Sequence, residues 1–127
     1  MPQHHAARVW LEECLGGSTK VGLPWHSLLA FLRIVTNPRL FQPATRMTSA
    51  WQRVEQWLDQ PPAWIPQPTD AHSAVLAQLL TDDVHGELVP DAHLAALAIE
   101  HGLTVCSTDG DFARFPAVRW ENPLRGI

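Results

Sequence analysis

The chain has 127 residues, 46% hydrophobic and 17% charged, with a formal net charge of −4. That length suits one domain with a buried core, and the balance excludes a disordered polar chain. The acidic excess argues against a general polyanion binder, which would be basic overall.

Eight of the nine basic residues are arginines, Lys20 being the only lysine. Arginine suits bidentate phosphate contacts, and it equally suits an ordinary charged surface. Cys14 and Cys106 lie in apolar patterns without a CxxC, so both are expected as buried free thiols. No stretch approaches the ~18 consecutive apolar residues of a membrane span. The opening "MPQHHAARVWLEE" lacks the blocks of a signal peptide. A cytoplasmic protein is expected, with no membrane partner.

In chain order, Ala7, Trp10, Leu11, Cys14 and Leu15 repeat at helical spacing and stop at Gly16-Gly17. "VGLPW" reads as a short buried strand, and "HSLLAFLRIV" as a helix that breaks at Asn37-Pro38. After the loop "TNPRLFQPA", a second helix places Met47, Ala50, Trp51, Val54, Trp57 and Leu58 on one side, ending at Gln60-Pro61-Pro62. "AWIPQP" reads as a short strand that its prolines confine to an edge. Residues 70–82 return to helical spacing through Val75, Leu76, Leu79 and Leu80, and "DDVHGELVP" is a polar loop. "DAHLAALAIEH" is a helix rich in small residues, with Gly102 as a left-handed stop. "LTVCST" is the clearest strand and "VRWENP" the last. Short strands alternating with helices predict an α/β fold with a mostly parallel sheet.

In such sheets ligands sit at the carboxyl ends of strands. "STDGDF" places Asp109 and Asp111 at that point, just beyond the apolar run 103–106. Asp91 shares a helix face with Leu94, Ala95 and Ala98, and its helix leads straight into the same strand. Ala92, Ala95, Ala96 and Ala98 let that helix lie close to a sheet. Three carboxylates could thus converge. They repel one another unless protons or a cation neutralise them, and Mg²⁺ or Mn²⁺ prefers such oxygen ligands. The plainer alternative makes Asp91 an N-cap and builds an Asx turn from Asp109 and Asp111 around Gly110. Glu87 and the Asp82-Asp83 pair are weaker candidates, since loop acids are usually solvated.

The histidines offer a rival. His85, His93 and His101 recur every eight residues, which leaves His93 and His101 about 80° apart around a helix. No zinc spacing such as HExxH is present, and exposed or hydrogen-bonded histidines are expected. Neither a GxSxG elbow nor a glycine-rich phosphate loop occurs.

At these residues the chain closely resembles a known family. "VPDAHLAALAIEHGLTVCSTDGDFARFPAVRWENPL" is similar to the C-terminal half of PIN-domain toxins of the VapC family. The similarity extends upstream through "LPWHSLLAFLRIVTNPRLF" and "AWQRVEQWLDQP". It implies a three-layer α/β/α PIN-like domain over residues 1–127. It also implies a Mg²⁺- or Mn²⁺-dependent endoribonuclease, an RNA substrate, a VapB-type antitoxin and a homodimer. Asp91, Asp109 and Asp111 match the family's catalytic acids, Asp91 and Asp109 as metal ligands. Arg33, Arg39 and Arg114 are candidate phosphate contacts, each equally an ordinary surface arginine.

Two departures stand out. Family members begin with a "DxN" strand whose aspartate supplies a central metal ligand, whereas "PQHHAARVWLEE" matches the helix that comes next. The domain is therefore expected to be N-terminally incomplete. Aligning on Arg33 also places Ala30 where many members carry a glutamate. A binding module without catalysis, engaging an antitoxin or a second subunit, is the alternative function.

Overall fold

The structure is a computed structural model that describes residues 19–107 and 110–122, with only the backbone of residues 110 and 111. The expected helix over 7–15, Cys14 and Asp109 lie outside those residues. The chain divides into two compact units, Met1–Ile65 and Pro66–Ile127.

In the first unit, β1 (Val21–Gly22) leads into α1 (Trp25–Val35). The strand is shorter than "VGLPW" suggested. Pro24 adopts the extended conformation of a helix-preceding residue (φ −62°, ψ 144°) and Trp25 already belongs to the helix. Helix α2 covers Met47–Leu58, and β2 (Ala63–Trp64) pairs parallel with β1 in the register Val21↔Ala63 and Gly22↔Trp64. Leu28, Leu32 and Val35 of α1 pack with Ala50, Val54 and Trp57 of α2. Phe31 meets Trp57 edge-on, with centroids 4.7 Å apart. The buried arc of α2 is narrower than its apolar content: Met47 and Trp51 flank it and are exposed.

The second unit opens with α3 (His72–Leu79), shorter at both ends than the periodicity over 70–82. Helix α4 runs Leu88–His101 and begins three residues before Asp91, inside the segment expected as loop. Pro90 does not delay it. The first four N–H groups of a helix have no intrahelical acceptor, so a proline there removes no bond. Gly102 takes the left-handed conformation (φ 66°) as expected. Leu103 N–H donates to Ala98 O and Gly102 N–H to Ile99 O, a Schellman pattern that reverses the chain into β3 (Thr104–Cys106).

A 3-10 turn, Gly110–Arg114, leads to β4 (Arg119–Glu121), which pairs parallel with β3 in the register Thr104↔Arg119, Val105↔Trp120 and Cys106↔Glu121. Ala92, Ala95, Ala96 and Ala98 are buried against Leu79, Phe112, Phe115 and Val118. Cys106 corrects the sequence expectation: the thiol is not in a disulfide, as foreseen, but it is exposed. Alternation in β3 turns Val105 inward and places Thr104 and Cys106 outward.

Candidate functional site

In the second unit, Asp91 and Asp111 lie on two segments that adjoin β3 in sequence. Because Gly102 reverses the chain at once, α4 runs back along β3, and its N-terminal turn lies toward the strand's carboxyl end. From His101 back to Asp91 the helix covers about 15 Å, and Thr104 to Ser107 covers about 10 Å. Both paths lead to one end of the unit.

That end is fixed by hydrogen bonds. Ser107 N–H donates to Glu121 O at 3.0 Å, and Trp120 Nε1 donates to Ser107 O at 3.0 Å. The backbone leaving β3 at Ser107 is thus clamped to β4. At the opposite end, an Arg119 guanidinium nitrogen donates to Gly102 O at 2.7 Å and joins β4 to the C-terminus of α4.

Asp91 is half-buried in the first turn of α4. It is the fourth residue of the helix and Glu87 holds the capping position, so Asp91 does not act as the N-cap. Its neighbours at i+4 and i+7, Ala95 and Ala98, are buried, as its place on the inward face required. Asp111 lies on the 3-10 turn, where the buried rings of Phe112 and Phe115 anchor the chain to the alanine face of α4. The fold therefore sets the Asp111 segment against the helix that begins near Asp91. Among the described residues, no group of three His, Cys, Asp or Glu side chains is close enough to hold a metal ion. Asp109, the expected second ligand, is not among them.

The arginine candidates divide between the units. Arg33 is exposed in the last turn of α1, and Arg39 is exposed in the following loop, its N–H donating to Asn37 Oδ1. Arg114 closes the turn that carries Asp111.

A second polar cluster was not anticipated. The Glu100 side chain, only 1% exposed, reaches from α4 to the start of α3. Its Oε1 accepts from Thr69 N–H (2.9 Å) and Thr69 Oγ1 (2.6 Å), and its Oε2 lies 2.5 Å from His72 Nδ1. Burial pushes the Glu100 carboxyl up, but the hydrogen bonds from Thr69 and His72 outweigh this and hold it below its ordinary value. An ionised carboxylate only accepts, so His72 Nδ1 carries the proton. His72 Nε2 then faces His93 Nδ1 at 3.1 Å. His101 Nε2 donates to Gln67 O at 2.7 Å. His93 and His101 are thus hydrogen-bonded, as expected of them, but to different partners. The sequence held one signal for the cluster: His93 and Glu100, seven residues apart, share a face of α4.

Among the described residues, no helix is long and apolar enough to cross a membrane. No protein-family model matches the chain. Individual relatives do. Ribonuclease VapC37 of Mycobacterium tuberculosis (strain ATCC 25618 / H37Rv) is 43% identical over 123 residues, 95% of this chain and 85% of the relative. VapC ribonuclease Mb2897 of Mycobacterium bovis (strain ATCC BAA-935 / AF2122/97) is 40% identical over 125 residues, covering 98% and 85% of the two chains. Ribonuclease VapC33 of Mycobacterium tuberculosis (strain CDC 1551 / Oshkosh) is 34% identical over 125 residues, covering 98% and 87%. With identity of this order along nearly the whole chain, and with parallel strand pairs between helices in a PIN-like α/β fold, the protein belongs to the VapC family of PIN-domain toxins.

Proposed function

We propose that the chain is a Mg²⁺- or Mn²⁺-dependent endoribonuclease, the toxin of a VapBC-type toxin–antitoxin pair acting on RNA in the cytoplasm. The names of the relatives support ribonuclease chemistry. One observation in this chain supports its metal-dependent form. Asp91 is half-buried on the alanine face of α4 without serving as its cap, and the turn that carries Asp111 is anchored to that face by Phe112 and Phe115. Carboxylate oxygens are the donors a hard cation takes, so this donor set fits Mg²⁺ or Mn²⁺ and does not fit a soft metal.

Asp91 and Asp109 would hold the cation, with Asp111 beside them, directly or through water. The cation would supply activation of a water molecule and stabilisation of charge on a phosphoryl oxygen. The protein's part is to hold the acids in place through the Schellman turn, the Ser107 clamp and the Phe112–Phe115 anchor. The positive end of the α4 dipole also favours a carboxylate in its first turn. Arg114, on the same turn as Asp111, is the candidate phosphate contact of this unit, and Arg33 and Arg39 are candidate RNA contacts on the first; each is equally an ordinary surface arginine. A VapB-type antitoxin holds the enzyme in check, and the toxin is a homodimer.

The test is RNA cleavage by the purified chain with and without Mn²⁺, beside Asp91→Ala purified identically. Groups that only orient a metal ligand are worth roughly 10–100-fold in activity, so losing a direct ligand lowers cleavage by about 100-fold or more. Cleavage that persists in EDTA overturns the metal-dependent reading.

A binding role without catalysis rests on a different observation. Trp25 and Trp51 are 39% and 40% exposed and stack with centroids 6.4 Å apart and planes at 13°, with Leu29 and Met47 also exposed. Such a surface suits an antitoxin or a second subunit. Tight antitoxin binding by a folded chain that neither cleaves RNA nor takes up Mn²⁺ would select this reading.

A further inference from the structure

His72 and His93 come from different helices, yet their ring nitrogens Nε2 and Nδ1 face each other at 3.1 Å, with centroids 5.0 Å apart and planes at 79°. Two lone pairs at that distance repel, so the rings share either one proton or one cation that lies off the line between them, where both nitrogens converge. A tetrahedral ion with Zn–N bonds of 2.0–2.1 Å holds its two nitrogens about 3.3 Å apart, within a few tenths of what the fold already sets. On the far side of His72, the buried Glu100 carboxylate binds Nδ1 and fixes the tautomer that leaves Nε2 for a metal. That carboxylate–histidine arrangement is the one that orients and strengthens histidine ligands. Glu100 is itself fixed by Thr69, so the chain Thr69–Glu100–His72 is built before any ligand arrives.

The geometry points to a second metal site in this protein, in which His72 Nε2 and His93 Nδ1 bind one Zn²⁺ and Glu100 orients His72. Two imidazoles select zinc over Mg²⁺, whose preference is for oxygen. His72 is 15% exposed, which leaves the other coordination positions to water. The site is separate from the acidic one: Asp91 and His93, two residues apart on α4, point about 160° apart around its axis. A bound ion would tie the start of α3 to the middle of the helix that positions Asp91.

The experiment uses the untagged full chain carrying His4→Ala and His5→Ala, which removes the adjacent histidine pair at the N-terminus. Long-range ¹H–¹⁵N spectra report each imidazole nitrogen during titration with ZnCl₂. One equivalent of Zn²⁺ is expected to move the His72 Nε2 and His93 Nδ1 signals, leave His26 and His85 in place, and raise the melting temperature. His72→Ala and His93→Ala each abolish that thermal shift, Glu100→Gln weakens zinc affinity about 10-fold or more, and Asp91→Asn leaves the zinc response intact. The proposal is overturned if those two nitrogens do not move, or if zinc stabilisation is lost in Asp91→Asn and kept in His72→Ala. Should His72→Ala fail to fold, the spectrum of the parent chain decides alone.

Discussion

Among the described residues, the two units use the same ingredients, two helices and a pair of parallel strands, for different ends. Residues 1–65 carry six basic and four acidic side chains, whereas residues 66–127 carry three basic and nine acidic, so the second unit accounts for the whole net charge of −4 and more. Their cores differ too. Large side chains fill the first: Leu28, Leu32, Val35, Val54 and Trp57. The second is centred on four alanines of α4, which bring its backbone close to the phenylalanines of the turn. Bulky packing gives the first unit its stability. Close approach gives the second its precision, and there the chain also buries a carboxylate. A −4 average conceals this division between an arginine-bearing unit and an acid-bearing one.

If the first unit rests on bulk, deleting bulk should affect it most. Trp57→Ala is expected to destabilise the protein by about 3–5 kcal/mol, the usual range for emptying a buried aromatic site. Trp51→Ala, on the same helix but outside the core, removes mainly an exposed stack worth about 0.5–1.5 kcal/mol. Urea unfolding of both variants measures the contrast. Equal losses would mean that Trp51 is covered in solution.

The second unit should respond to the loss of a polar group instead. Glu100→Ala leaves the donors of Thr69 and His72 without their acceptor and is expected to cost about 1–3 kcal/mol. Its pH dependence carries a sign. The folded state holds the Glu100 carboxyl below its ordinary value. The resulting stabilisation is complete above the unfolded value and disappears as pH falls through the folded one. Glu100→Gln removes that dependence, so its stability falls less steeply with acid than that of the parent chain. Parallel acid-unfolding curves would contradict the assignment.

How far the sequence reveals this architecture depends on the distance over which each feature is decided. The faces of α2 and α4, the left-handed Gly102 and the register-forming strands β3 and β4 follow from periods and stop signals within a dozen residues. The start of α4 did not, because the polar segment before Pro90 resembles loop and proline at a third helical position breaks nothing. The apolar run "VGLPW" reads Trp25 into a strand, while Pro24 is what starts the helix. Asp91 could be placed on the inward face from spacing alone, and the structure puts it there. His72, Glu100 and His93 could not be joined in advance, because the links span 21 and 28 residues between two helices. Spacing along α4 sets His93 and His101 about 80° apart, and tertiary packing pairs His93 with His72.

The smallest expected effect tests the device that joins these parts. Gly102 has φ 66°, and a Cβ built there meets nothing within 4 Å. Gly102→Ala therefore introduces no clash, and its penalty is the left-handed backbone alone, about 1–2 kcal/mol for a residue with a side chain. Gly102→Asn should recover part of this, since asparagine tolerates that conformation better. Chemical denaturation of the two variants gives the difference. If alanine costs no more than asparagine, the left-handed turn is not what limits the reversal. The bonds from Leu103 to Ala98 and from Arg119 to Gly102 would then be strong enough to impose it. A loss well above that range would instead mean that the turn and the alanine face of α4 form as one unit, so that disturbing the reversal also loosens the Phe112 and Phe115 packing that anchors the Asp111 segment.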